Sequence, residues 1–137
     1  MENWMNTKWI MSTSAMVMGI AGIVLSFMPQ EILNYLGSTN ATGIEAVVLQ
    51  VMGALYFAFA LTNWTAKANL IGGIYGRPIA IGNLCHFTMA ALALIKVFFR
   101  THETMLLVPM SVYVTFAIAY TWIFFTHPFK ELPKTVN

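Results

Sequence analysis

Within residues 78–99, PIAIGNLCHFTMAALALIKVFF, Asn83, Cys85 and His86 lie in the first half of an apolar run and Lys96 lies near its end. An imidazole in such a run can do three things. It can stay neutral and hold helices together by hydrogen-bonding to Tyr56, a Ser or Thr hydroxyl or a backbone carbonyl. It can face a quinone-like ligand or a small solute, since ionisable groups inside a membrane tend to be functional. It can ligate a metal or haem, but His102 and His127 fall at opposite membrane edges, so only an oligomer that gathered copies of His86 would supply a second imidazole. Cys85 is the one cysteine of the chain. It can form no intrachain disulfide or CxxC centre and, with no cationic neighbour in sequence, reads as a buried, inert thiol. Lys96 is close enough to the end of the run to snorkel to the headgroups. The chain has no Ser-His-acid order, no H-E-x-x-H and no pair of intramembrane carboxylates, so no motif implies a catalytic centre or a cofactor.

The elements that position these residues follow from composition. Of 137 residues, 58% are hydrophobic and 9% charged, where a soluble domain carries about a quarter charged residues. Water is therefore not the main solvent. Seven Lys and Arg against five Glu, with no Asp, leave a net charge of +2, too little for a nucleic-acid surface. Four apolar runs, residues 9–28, 44–64, 78–99 and 105–125, are each long enough at about 1.5 Å per residue to cross a hydrocarbon core of about 30 Å. The first is longer than a signal-peptide core, has a single Lys in front and lacks a small-x-small cleavage site, so it reads as a retained span. The expected fold class is all-α: one domain over residues 1–137, an integral membrane bundle of four transmembrane helices, with a polar tail at 126–137.

The connections have their own signals. Pro29 opens PQEILNYL and Gly37 follows it, which predicts a short interfacial helix after the first span. Thr42-Gly43-Ile44-Glu45 has the capping-box pattern, giving Glu45 a structural role at the start of the second span, with an ion or proton site as the alternative. Residues 65–77 contain Gly72, Gly73 and Gly76 but no G-x-G-x-x-G after a strand, so they read as a flexible loop. Arg77, beside Pro78, is placed to anchor on lipid phosphate or to contact a substrate anion. Pro109 sits in the first turn of the fourth span, where a missing N–H costs little.

Small residues recur at helical spacing. Ser12, Ala15, Gly19, Gly22 and Ser26 share one face of the first span; Gln50, Gly53, Phe57 and Ala60 share one of the second; Ser111, Thr115 and Ala119 form a row on the fourth. On the third, His86 shares its face with Gly82, Ala90 and Ala93, the face best able to pack on a neighbour, so His86 is expected to point into protein. Such rows permit close helix contact. They exceed what one four-helix core needs, so the expected partners, besides the lipid bilayer, are further copies of this chain or other membrane subunits.

Four spans put both termini on one side. Lys8, Lys67, Arg77, Lys130 and Lys134 fall there, against Lys96 and Arg100 on the other, so the positive-inside rule places both termini in the cytoplasm. Trp4, Trp9, Trp64 and Trp122 belong to the same predicted interface. Counted along the third span, His86 lies about 12 Å in from that surface, with Tyr56 at a similar level. Asn83 lies one turn nearer the surface, level with Ser12 or Thr13 and with Tyr120 or Thr121. The candidate ligand-binding residues are therefore His86, Asn83, Tyr56, Gln50, Tyr120 and Arg77.

Gly53-Ala54-Leu55-Tyr56, Asn63-Trp64, and Arg77-Pro78 followed by Gly82-Asn83 and His86 resemble the DoxX-like group of small four-helix bacterial membrane proteins over the middle third of the chain. The resemblance implies a four-helix fold in a bacterial inner membrane. Some members of that wider group are associated with quinone-linked sulfur oxidation, but no redox motif here carries that activity across. Three functions stay open: a non-catalytic assembly or accessory protein, a small-solute carrier or channel around His86 and Asn83, and a quinone- or lipid-linked enzyme using His86 and Tyr56. Asn40-Ala41-Thr42 and Asn63-Trp64-Thr65 match the glycosylation pattern, which matters only in a secretory pathway.

Overall fold

A computed structural model describes residues 2–37, 43–67 and 76–126 of the chain. The described residues fold into α1 (Glu2–Phe27), α2 (Pro29–Tyr35), α3 (Gly43–Ala66), α4 (Gly76–Thr101), a 3₁₀ turn (Thr104–Leu106) and α5 (Leu107–Thr126), with no strand among them. Four stretches, Thr7–Phe27, Gly43–Ala66, Gly76–Thr101 and Thr104–Phe125, are long and apolar enough to cross a bilayer. The all-α class and the four apolar spans expected from the sequence are present, and the chain is an integral membrane protein. Helices are the form an unaided segment takes in lipid, because each satisfies its own backbone polar groups. The third span runs two residues further at each end than its apolar run, to Gly76 and Thr101. The capping residue Thr42, the connection over 68–75 and the tail from 127 lie outside the described residues.

Proline and glycine set the break after α1. Pro29 has no N–H to give and disfavours helical geometry in the residue before it, and Met28 accordingly leaves the helix at φ −126° and ψ 42°. Its carbonyl then accepts from the Ile32 N–H at 3.2 Å, starting α2. Two turns later the Leu36 N–H bonds to the Ile32 carbonyl at 2.9 Å and the Gly37 N–H to that of Asn34 at 3.0 Å. Gly37 ends the helix at φ +80°, a left-handed conformation that costs glycine nothing. Pro29 and Leu33 are buried, and α2 packs on α3.

The chain divides into two compact units. In the first, Met11–Lys67, α1 and the buried face of α3 run antiparallel. Asn63 of α3 meets Ser14 of α1, Ala60 meets Gly19, and Gly53 and Phe57 meet Gly22. Gln50 reaches Ser26. Ala46, Gly53 and Ala60, seven residues apart, are all buried, the repeat that keeps one helix seam on its partner. The faces expected from Gly19, Gly22 and Ser26 and from Gln50, Gly53, Phe57 and Ala60 are the two that meet.

The second unit comprises Met1–Ile10 and Ala68–Asn137. Here α4 and α5 are antiparallel and joined through rings. Phe87, 1% exposed, lies 5.6 Å from Tyr113, 4.9 Å from Phe116 and 5.4 Å from Tyr120, the last stacked at 10°. One side of α4, Gly76, Ala80, Asn83, Phe87 and Ala91, is buried. This differs from the expected Gly82-His86-Ala90-Ala93 face: Ala93 is exposed, and Gly82, His86 and Ala90 are only half-buried. The ring of Phe87, clasped by three aromatic residues of α5, decides which face turns inward.

Candidate functional site

The six candidate residues divide between the two units. Arg77, Asn83, His86 and Tyr120 belong to the α4–α5 unit; Gln50 and Tyr56 belong to the α1–α3 unit.

On α4, His86 is half-buried at the edge of the aromatic cluster. Its ring meets Phe87 edge-on, 5.2 Å between centroids at 76°, and lies tilted beside Tyr113 at 5.7 Å and 51°. These are ordinary aromatic geometries. They tie the imidazole to its own helix and to α5. Asn83, one turn earlier and 1% exposed, donates from Nδ2 to the Ile79 carbonyl at 2.9 Å, a back-bond to its own helix. Tyr120 is fully buried and gives its ring face to Phe87. Arg77 is exposed at the first turn of α4, with its guanidinium carbon 5.7 Å from the Phe124 ring centroid, a cation–π arrangement across the α4–α5 pair.

On α3, Gln50 is exposed and donates from Nε2 to the Ser26 carbonyl over 3.4 Å, a long bond. Tyr56 is half-buried. Gln50 thus joins the α1–α3 contact, and neither of these residues shares a unit with His86.

A polar pair that sequence reading did not assemble lies in the α1–α3 unit. Asn63, fully buried, donates from Nδ2 to Ser14 Oγ at 3.1 Å, and the Ser14 hydroxyl donates to the Met11 carbonyl at 3.0 Å. Both side chains are out of reach of solvent and lipid. Asn63 therefore cannot serve as a glycan acceptor in the folded chain. The signal was present in sequence: once α1 and α3 are set antiparallel, Ser14 and Asn63 fall at the same depth. Tyr113 and Phe116 were missed too, although with Tyr120 they have the three- and four-residue spacing of one helix face.

Cys85 corrects an expectation. The thiol is exposed rather than buried, because the Asn83–Phe87 seam turns Cys85, with Met89 and Leu92, to the outside of α4. Lys96 is exposed on the same helix, and Lys67 lies over the ring of Trp64 at the end of α3. Among the described residues no three His, Cys, Asp or Glu side chains come together in a way that could hold a metal ion. Comparison of the chain with family models, curated proteins and solved structures finds no match.

Proposed function

We propose that this chain is a non-catalytic assembly or accessory protein of a membrane, working as a homo-oligomer or with other membrane subunits. The observation that carries this reading is where its buried polar groups go. Among the described residues the buried hydroxyl and amide side chains outside the aromatic cluster are Thr7, Ser14, Asn63 and Asn83, and the buried phenol Tyr120 gives its ring face to Phe87. Asn63 and Ser14 are engaged in joining helices, and Asn83 bonds along its own helix. Polar groups so engaged build contacts and leave little to aim at a reacting centre. The small-residue rows support oligomerisation. That of α1 is taken up by α3, whereas Ser111 and Thr115 on α5 remain exposed. Their hydroxyls bond back to the carbonyls of Val108 and Ser111, both at 2.8 Å, so a second helix could approach without stranding a donor. Light scattering of the full chain in mild detergent tests the reading. An oligomer is expected, and a monodisperse monomer that also captures no membrane subunit counts against it.

The charge asymmetry of five cations against two supports a placement with both termini in the cytoplasm, and the DoxX-like resemblance supports a bacterial inner membrane. A carrier or channel is the second reading, favoured by the half-buried position of His86 beside Tyr113. Flux in liposomes that His86→Ala abolishes would establish it, and flux absent or unchanged would reject it.

A further inference from the structure

Two cations on α4 have no protein partner among the described residues. Among the described residues neither Lys96 nor Arg100 takes part in a hydrogen bond, an ion pair or a ring contact, and both are exposed. They stand four residues apart, one above the other on one helix face, with their Cβ atoms about 6 Å apart. Like charges in that position repel, and nothing on α4 offsets them. The nearby Glu103 is exposed and pairs with neither. Arg100 lies in the last turn of α4, whose carbonyl end favours a cation. Lys96 lies about 6 Å further in along the axis, inside the apolar part of the span. Around them the helix presents Met89, Leu92, Val97 and Phe99, exposed by 72%, 61%, 40% and 70%.

We propose that Lys96 and Arg100 together hold the phosphate of an anionic phospholipid in the leaflet that receives the C-terminal end of α4. The charge and its depth select this occupant. An ammonium rooted below the interface reaches upward along its own methylenes, while a guanidinium one turn higher presents its fork to phosphate oxygens. A phosphodiester between them removes the repulsion, and its acyl chains lie on Leu92, Met89 and Phe99. A free phosphate could meet the two head groups but would leave the apolar part of the face unused. The site is independent of the assembly reading, because it needs only a chain that spans a membrane.

The test uses the full chain in detergent micelles doped with phosphatidylglycerol or phosphatidylcholine, read by native mass spectrometry for retained lipid and by thermal unfolding. The wild-type chain is expected to retain phosphatidylglycerol preferentially and to melt several degrees higher with it. In the Lys96→Gln/Arg100→Gln variant that preference falls about thirtyfold, while Lys67→Gln at the other end of the spans keeps it. Arg100→Gln alone, at an exposed site near a helix end, loses about fivefold and covers the case of a poorly folded double variant. Lys96→Arg retains the preference. The proposal is overturned if the double variant binds phosphatidylglycerol as the wild type does, or if inorganic phosphate alone reproduces the thermal shift.

Discussion

Gly22 of α1 and Gly53 of α3 bring two helix backbones into direct contact. A Cβ built on Gly22 would lie 2.7 Å from the Phe57 nitrogen and 2.9 Å from the Gly53 carbonyl oxygen, and one on Gly53 would lie 2.7 Å from the Ser26 nitrogen and 2.8 Å from the Gly22 carbonyl oxygen. The Ser26 hydroxyl also crowds the Gly53 position, but the other obstacles are backbone, which cannot swing aside. In lipid, close packing of this kind replaces the hydrophobic drive that would hold the helices together in water. Gly22→Ala and Gly53→Ala are each expected to cost about 1–3 kcal/mol. Gly19→Ala, whose Cβ would meet only the Ala60 side chain at 3.6 Å, should be neutral or stabilising by up to about 1 kcal/mol. Unfolding titrations in mixed micelles, followed by circular dichroism, would separate the three. Equal effects at Gly19 and Gly53 would refute the close crossing.

The Asn63–Ser14 bond makes a second claim on the same pair of helices. Interhelical polar contacts in membranes are worth about 0.6 kcal/mol on average and up to about 1.7, and this one is wholly buried. A double-mutant cycle with Asn63→Leu and Ser14→Ala should give a coupling in that range. Asn63→Asp should cost more than Asn63→Leu, because it adds a charge where none can be hydrated. Additive single effects would show that the two side chains do not act together.

These two contacts differ in how legible they were. The spans were plain from length and apolarity, because the bilayer sets both. The α1 face could be read from the spacing of Ala15, Gly19 and Gly22, since the helical period is local information. The Ser14–Asn63 pair needed the register between two helices, which no single stretch carries. The inward face of α4 was misjudged because two neighbouring stripes, Gly82-His86-Ala90-Ala93 and Ala80-Asn83-Phe87-Ala91, both have helical spacing. The choice was made by the rings of α5, so Cys85 turned out with the rejected side. Tyr56 was joined to His86 by depth alone, and depth does not assign a neighbour.

Phe87 is the residue on which the α4–α5 contact depends. Its ring touches Tyr113, Phe116 and Tyr120 and is almost fully buried. Phe87→Ala should destabilise by about 3–5 kcal/mol through lost contacts and the cavity left behind. Phe87→Leu should cost far less, since it keeps most of the volume. Near-ultraviolet circular dichroism of the tyrosine signal should change with Phe87→Ala. An unaltered spectrum together with unaltered stability would place the aromatic cluster elsewhere.

The turn after α4 stores strain in one residue. His102 has φ +55°, and its N–H closes the helix by bonding to the Phe98 carbonyl at 2.8 Å. Glycine or asparagine is the usual occupant of such a C-cap, and an ordinary L side chain pays about 1–2 kcal/mol for the left-handed conformation. The histidine ring recovers part of this by resting against Phe98, 6.3 Å between centroids. Because the capping bond comes from the backbone, it survives any replacement but proline. His102→Gly should therefore stabilise the chain by up to about 1 kcal/mol, and His102→Asn should be close to neutral. His102→Val, whose branched Cβ crowds that conformation, should destabilise it by at least about 1 kcal/mol. The side chain is exposed, so packing does not confuse the series. Thermal unfolding of the three variants is the measurement, and a His102→Gly variant less stable than His102→Val would show that the turn is not held in the left-handed form.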